Sequence, residues 1–164
     1  MTPTPAFTSV YRAPMRSLQA DDASAAEWAI AAGVVGLDGA LRVSVSDLAE
    51  ALAAVDHEHD TRTARRIRRF AQAPAGSLVW TRDTCGSFHL GRVSGDWRYD
   101  PSETARRMGL PHQRACIWAA GPVPDALVPG SVIDAFARGG RNWQCIRAAE
   151  AGGASLRLWS QMHE

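Results

Sequence analysis

The segment 77–100 constrains the fold most, because it predicts a β-hairpin that carries both aromatic and charged side chains. Segments 78–82 and 88–93 are rich in β-branched and aromatic residues, and the residues between them have turn chemistry. Side chains alternate across a strand, so Trp80 and Arg82 share one face. A tryptophan beside an arginine is a poor core pattern. We therefore interpret this face as the wall of a pocket for a flat, polar ring.

Length and composition indicate one globular domain. The chain has 164 residues, and no apolar run approaches the roughly 20 residues that cross a bilayer. The prolines of Thr2-Pro3-Thr4-Pro5 interrupt any apolar leader, so we expect no signal peptide, a cytoplasmic protein and no membrane partner. Cys85, Cys116 and Cys145 lack disulfide or zinc spacing. We expect a monomer with no cofactor and no metal.

The basic residues are unusual in kind. All 18 are arginine, while the net charge is only +1. A codon bias typical of a GC-rich genome explains this as well as contacts to phosphate or guanine do, and the sequence leaves both open. Five arginines between 62 and 69 leave two alternatives open as well: they form a solvated helix face, or they bind phosphates.

The order of elements predicts an α+β fold. Residues 1–20 indicate an extended arm or edge strand, and 21–164 a single domain. Besides the hairpin, periodicity and capping residues predict helices over 23–32, 44–55, 61–71, 102–108 and 132–137, and strands over 34–37, 114–120 and 156–159. No βαβ unit repeats. A mixed, largely antiparallel β-barrel flanked by several helices is therefore favoured over a doubly wound sheet.

The chemistry in the sequence points to binding rather than catalysis. It contains no nucleophile elbow, phosphate-binding loop, zinc-protease motif or dinucleotide fingerprint. The segment 57–60 holds two histidines and two acids, but neighbouring ligands point in different directions, so we interpret it as a solvated linker. We therefore expect that the protein is not an enzyme.

Six tryptophans are many for this length. Trp28, Trp118 and Trp159 lie within apolar elements and are expected in the core. Trp80 and Trp97 each adjoin arginine and aspartate in turn-rich sequence. This pattern favours a role in binding a ring.

The chain resembles the EVE domains of the PUA-like superfamily, relatives of the YTH readers of methylated adenine. The resemblance spans most of residues 25–147. It is carried by Trp28 to Gly36, a helix ending at Phe70, and the motifs GSLVWTR, FHLGRV, GDWRY, RACIW and VPGSV, which begin at Gly76, Phe88, Gly95, Arg114 and Val128. The first strand departs from the glycine-rich form usual in the family, since it reads VVGLDG.

The resemblance implies a compact barrel with a concave aromatic site for a modified base. Bacterial members are similar to the specificity modules of modification-dependent restriction systems, and some look like stand-alone readers of 5-methylcytosine in duplex DNA. An extruded cytosine would lie between aromatic faces. Candidate walls are Trp80, Trp97 and Tyr99, with Trp28 as a floor. Asp83 or Asp96 would accept a hydrogen bond from the exocyclic amino group.

Contacts to the flanking phosphates fall to arginines. The candidates are Arg42, Arg82, Arg98, Arg114, Arg138 and Arg141. Two alternatives remain open at this point. One is a YTH-like or PUA-like module that binds RNA, and the other is a small-molecule or protein-interaction domain that binds no nucleic acid.

Overall fold

The computed structural model describes residues 8–15, 25–140 and 143–163. This part of the chain contains six α-helices, seven strands and a 3-10 turn at Asp125–Leu127. The helices are α1 (Ala25–Ala32), α2 (Leu48–Glu58), α3 (Thr61–Gln72), α4 (Glu103–Met108), α5 (Gly130–Ala137) and α6 (Ala149–Met162). The strands are β1 (Val10–Arg12), β2 (Val34–Leu37), β3 (Leu78–Arg82), β4 (Phe88–Val93), β5 (Arg98–Tyr99), β6 (His112–Trp118) and β7 (Gln144–Cys145).

All seven strands form one mixed sheet. Its order is β2-β6-β4-β3-β1-β7, and β5 pairs with β6 beside this path. Only the β1–β3 pair is parallel among the described strands. The sheet is strongly curled into a half-barrel with helices around it. The predicted α+β architecture, largely antiparallel and flanked by helices, is confirmed.

Strand β1 ties the N-terminal part of the chain into the sheet. It lies between β3 and β7, and Val10, Ala13 and Met15 are buried. We predicted an arm or an edge strand for residues 1–20. Within the described residues of that region, 10–12 form an inner strand and not an edge strand. Residues 1–7 and 16–20 lie outside the described part.

The sheet is covered on both faces. Leu78 and Trp80 pack in one core cluster with residues of α5 and α6, and Val79 packs in the other with residues of α1, α2 and α3. The alternation predicted for the hairpin is therefore correct, and both its strands have the predicted bounds. A strand between two apolar layers buries the side chains on both of its faces.

Several predicted elements differ from the structure. The strand predicted over 114–120 is His112–Trp118, and the helix predicted over 132–137 begins at Gly130. Helix α2 begins at Leu48 with Asp47 as its cap, not at Ser44, because the Asp47 carboxylate accepts the Glu50 N–H. The strand predicted over 156–159 is wrong. These residues belong to α6, whose buried positions Ala151, Ser155, Leu158 and Trp159 follow helical spacing.

Helix α3 has the predicted orientation. Asp60 caps it, and Ala64, Ile67 and Phe70 are buried against the sheet. Its arginines lie on the solvent side. The linker interpretation of 57–60 is correct only for His59 and Asp60, because α2 runs to Glu58. Glu58 and His59 also bond to the Arg42 N–H and the Ala40 carbonyl oxygen, so the segment is not merely solvated.

Candidate nucleic-acid interface

Trp97, Tyr99 and His112 form an aromatic cluster, called the Trp97 cluster below. Tyr99 pairs directly with His112 through the β5–β6 register. The ring centroids of Trp97 and Tyr99 lie 6.0 Å and 5.1 Å from that of His112. His112 is fully buried, while Trp97 and Tyr99 are half-buried. The histidine is therefore the inner support of two rings that remain partly accessible.

Hydrogen bonds fix the polar edge of each ring. The Trp97 Nε1–H donates to His112 Nδ1 over 3.2 Å, and His112 Nε2 lies 2.8 Å from the Gly39 carbonyl oxygen. The Tyr99 hydroxyl accepts the Leu41 N–H over 2.8 Å. These bonds assign the proton of a neutral His112 to Nε2. Burial lowers the pKa of His112 to about 4, so the ring is neutral at physiological pH.

The loop 38–42 closes over the cluster. Gly39 has φ +130°, and a Cβ there would lie 3.0 Å from Ile67 Cδ1 and 3.1 Å from His112 Nε2. Only glycine fits this approach. Residue 39 is thus the point where β2, α3 and β6 meet around His112.

Three further predicted residues lie near this cluster. Asp96 and Arg98 are exposed on either side of Trp97 in the sequence, and the Arg98 Nη2 donates to Gln113 Oε1 over 3.2 Å. Arg42 is exposed in the loop, where its backbone N–H donates to Glu58 Oε1 over 2.8 Å. The structure therefore brings Trp97, Tyr99, Asp96, Arg98 and Arg42 to one end of the sheet.

Trp80 does not join them. Its side chain has no exposed surface, and its Nε1 donates to Ser155 Oγ on α6 over 3.0 Å. It packs in the core cluster on the other face of the sheet from Trp97. Trp80 is a core residue, and its assignment as a pocket wall is wrong.

Asp83 and Arg82 lie at the hairpin turn, beyond the far end of β4 from Trp97. Asp83 accepts hydrogen bonds from Ser87 N–H at 2.9 Å and from His89 Nε2 at 2.8 Å. Although burial opposes the charge, these bonds lower the pKa of Asp83. The Arg82 guanidinium bonds to the Gly86 carbonyl and lies 5.1 Å from the Phe88 ring centre. Six strand residues, about 17 Å, separate this turn from Trp97, so neither residue reaches the Trp97 cluster.

Trp28 stays a predicted floor residue. It is half-buried on α1 and packs against the same core cluster as Trp97. Its neighbour Glu27 accepts hydrogen bonds from the Thr84 N–H and hydroxyl, at 2.9 Å and 2.6 Å. Helix α1 is therefore anchored to the hairpin turn.

Arg114 is a structural residue. It is buried, and its guanidinium donates to the carbonyl oxygens of Gly95, Phe70 and Ala73 at 2.7 Å, 3.0 Å and 2.6 Å. Its fork is occupied by backbone and is not available to phosphate. Its assignment as a phosphate contact is wrong. Arg141 lies outside the described residues.

Arg138 lines a basic cleft at the β7 edge of the sheet. The cleft has a volume of about 760 Å³. It is lined by Tyr11, Arg69, Gln72, Ala73, Arg138, Trp143, Gln144, Cys145 and Arg147, none of which is acidic. The Tyr11 and Trp143 rings stack at 4.5 Å with 18° between their planes. The sequence pattern did not point to this pair, since each lies alone in its segment.

An arginine stripe adjoins this cleft. Arg62, Arg65, Arg66 and Arg69, which define the stripe, line a second depression of about 380 Å³ on the outer face of α3. Arg69 lines both depressions. The stripe and the basic cleft are therefore one continuous positive surface.

The described part of the chain offers no metal centre. No group of three histidine, cysteine, aspartate or glutamate side chains within residues 8–15, 25–140 and 143–163 is placed to hold an ion. Over the same residues, no helix combines the length and apolarity that a membrane span requires.

No family model matches the chain, and no curated protein matches it. Among solved structures, it is similar to the YTH domain of the Zygosaccharomyces rouxii MRB1 protein, solved in complex with N6-methyladenosine RNA. The match covers 99% of this chain and 91% of that chain, with 13% sequence identity and a TM-score of 0.48.

Proposed function

We propose that this protein is a non-enzymatic reader of modified nucleotides, and that its substrate is 5-methylcytosine in duplex DNA. The observation that carries the proposal is the Trp97 cluster. Trp97 and Tyr99 are half-buried, and inward hydrogen bonds satisfy their polar edges. Their apolar faces are thus fixed before a ligand arrives, which lowers the entropy cost of stacking a base.

Base extrusion gives the mechanism. The cytosine leaves the duplex at a cost of a few kcal/mol and stacks against Trp97 and Tyr99. Asp96, exposed beside Trp97, accepts a hydrogen bond from the exocyclic amino group. Burial of the methyl group adds about 0.8 kcal/mol, so the preference over unmodified cytosine is modest unless sterics increase it.

Arginines hold the flanking backbone. Arg98 and Arg42 are exposed next to the Trp97 cluster and contact the phosphates on either side of the extruded nucleotide. Arg138, on the separate basic cleft, and Arg141 remain proposed phosphate contacts.

The experiment compares Trp97→Ala with Trp97→Phe. Fluorescence anisotropy measures binding to a duplex with one 5-methylcytosine, to the unmodified duplex and to single-stranded RNA of the same sequence. Loss of one stacked ring costs about 1–3 kcal/mol, so Trp97→Ala should weaken binding to modified DNA at least about fivefold. Trp97→Phe keeps a ring and should retain most of the affinity.

Phe136→Ala is the matched control, because Phe136 is a half-buried aromatic residue packed on the other core cluster. It should leave the preference for 5-methylcytosine unchanged. Equal affinity of the unaltered protein for modified and unmodified duplex at matched salt contradicts the reader proposal. A preference for RNA over both duplexes moves the substrate to the RNA alternative.

A further inference from the structure

We propose that the basic cleft and the arginine stripe together bind the phosphodiester backbone of a nucleic acid, whatever its bases. The proposal goes beyond base reading, since it concerns a surface that lies apart from the Trp97 cluster. Three arginines from three different segments converge on the cleft: Arg69 on α3, Arg138 after α5 and Arg147 before α6. Guanidinium groups pair with phosphate oxygens in bidentate geometry.

Carboxylates offset the positive charge of this surface only in part: Asp60 acts on Arg62 and Arg66, and Asp134 and Glu150 line a neighbouring depression with Arg138 and Arg147. No salt bridge joins an arginine of the stripe or the cleft to a carboxylate in the described part of the chain. A net charge of +1 means that the molecule as a whole has about as many acids as bases. The segregation of unpaired arginines onto one surface therefore creates a local field that attracts a polyanion.

Repulsion between the arginines of the stripe destabilises helix α3. Arg62, Arg66 and Arg69 are spaced four and three residues apart, where like charges repel. Burial, Arg69 and Arg62 lower the pKa of Arg66, while Asp60 opposes this. Phosphates bound along the stripe would relieve this repulsion between the arginines.

The size and lining of the cleft suit a ligand larger than a free anion. Its volume of about 760 Å³ lies within the range of sites for organic ligands. The half-buried Tyr11 ring gives it an aromatic wall. The buried Trp143 ring stacks behind Tyr11, and Phe70 braces Trp143 edge-on at 5.0 Å between ring centres. Gln72 and Gln144 add neutral hydrogen-bonding groups. This mixture of groups suits the alternating sugars and phosphates of a nucleic-acid backbone.

The test uses the full chain and an unmodified 20-bp DNA duplex, with RNA of the same sequence in parallel. Arg69→Ala and Arg147→Ala should each weaken binding about eightfold at 0.1 M salt and reduce the slope of log K against log[salt] by about one. The ratio of affinities for methylated and unmethylated duplex should not change. Arg68→Ala is the matched control, because Arg68 lies on the same helix but outside the stripe and the cleft. It should bind like the unaltered protein.

Three results overturn the inference. One is equal binding by Arg69→Ala, Arg147→Ala and Arg68→Ala, and another is no binding of unmodified duplex by the unaltered protein at low salt. The third is displacement of the duplex by inorganic phosphate at the same phosphate concentration, or by poly-glutamate at a carboxylate concentration equal to that of the phosphates. Such displacement would show that the surface binds anions in general. A loss of methyl preference in Trp97→Ala, with the salt slope intact, instead tests the reader proposal alone. The two proposals therefore fail separately.

Discussion

Trp97 donates its indole N–H to Nδ1 of the buried His112, over 3.2 Å. The bond requires Nδ1 to be unprotonated, and the Gly39 carbonyl accepts from the opposite nitrogen. Protonation of His112 would therefore break the contact that orients the Trp97 ring. This relationship links the stability of the fold to the geometry of the proposed pocket.

The stability of the protein should fall between pH 6.5 and pH 4. Burial holds the pKa of folded His112 at about 4, below the ordinary value of 6.5, so the unfolded chain binds the proton first as pH falls. The stabilisation is complete above pH 6.5 and is lost as pH falls through this window, by about 3 kcal/mol at about 1.4 kcal/mol per pKa unit. Urea unfolding at several pH values measures it.

His112→Gln is the control for this prediction. It keeps a polar side chain at the position but removes the titrating group. The variant should be less stable at pH 7 and should show a flatter dependence between pH 6.5 and pH 4.5, above the ordinary range of the carboxylates. The assignment to His112 is wrong if the variant keeps the slope of the parent.

Substitution at Trp80 should affect stability but not base preference. Trp80→Ala removes a fully buried ring and leaves Ser155 Oγ without its donor, so we expect a loss of about 3–5 kcal/mol. Trp97→Ala opens a half-buried site and should cost less. Thermal and urea unfolding of both variants test the difference. A Trp80→Ala protein that stays as stable as the parent but loses preference for methylated DNA would return Trp80 to the site.

These two tryptophans show how far sequence reasoning reaches. The strands around Trp80 are predictable because β-branched and aromatic residues fill them locally. The role of Trp80 is not predictable from the sequence, because Trp80 and Trp97 both adjoin arginine and aspartate. The difference comes from α6, which places Ser155 against Trp80, and α6 itself was predicted in part as a strand.

Arg114 shows the same limit for charged residues. Its sequence neighbours gave no sign that three backbone carbonyls, two of them at the end of α3, occupy its guanidinium. Tyr11 and Trp143 likewise meet only because β1 pairs with β7. Burial and partners that depend on pairing distant segments are set by topology rather than by local pattern.

Gly91→Ala should destabilise the sheet. A Cβ at this position would lie 2.6 Å from Trp118 Cε3 and 2.7 Å from Cys116 Sγ, both on the neighbouring strand β6. Overpacking of this kind costs about 1–3 kcal/mol. Gly130→Ala, where nothing lies within 4 Å, should stay within about 0.5 kcal/mol of the parent. Equal stability of the two variants in urea unfolding would contradict the packing at Trp118.

Arg114→Lys should unfold more readily than the parent. Lysine keeps the charge but cannot supply the planar fork that reaches the carbonyls of Gly95, Phe70 and Ala73. Lost hydrogen bonds to a charged group cost about 1.5–3 kcal/mol each before relaxation, so we expect at least about 2 kcal/mol in urea unfolding. If the stability is unchanged while DNA binding weakens, Arg114 belongs to the interface and not to the core.

Arg98→Ala should weaken all duplexes alike. Arg98 is exposed, and its Nη2 donates to Gln113 Oε1 over 3.2 Å, so the guanidinium is held at the surface, where a phosphate can reach it. Loss of one phosphate contact should reduce the salt slope by about one, with little change in stability. Arg157→Ala, which changes an exposed arginine on α6, is the charge-matched control and should leave the slope unchanged. If Arg98→Ala instead removes the preference for methylated over unmethylated duplex and leaves the salt slope unchanged, Arg98 on β5 contacts the base and not a phosphate.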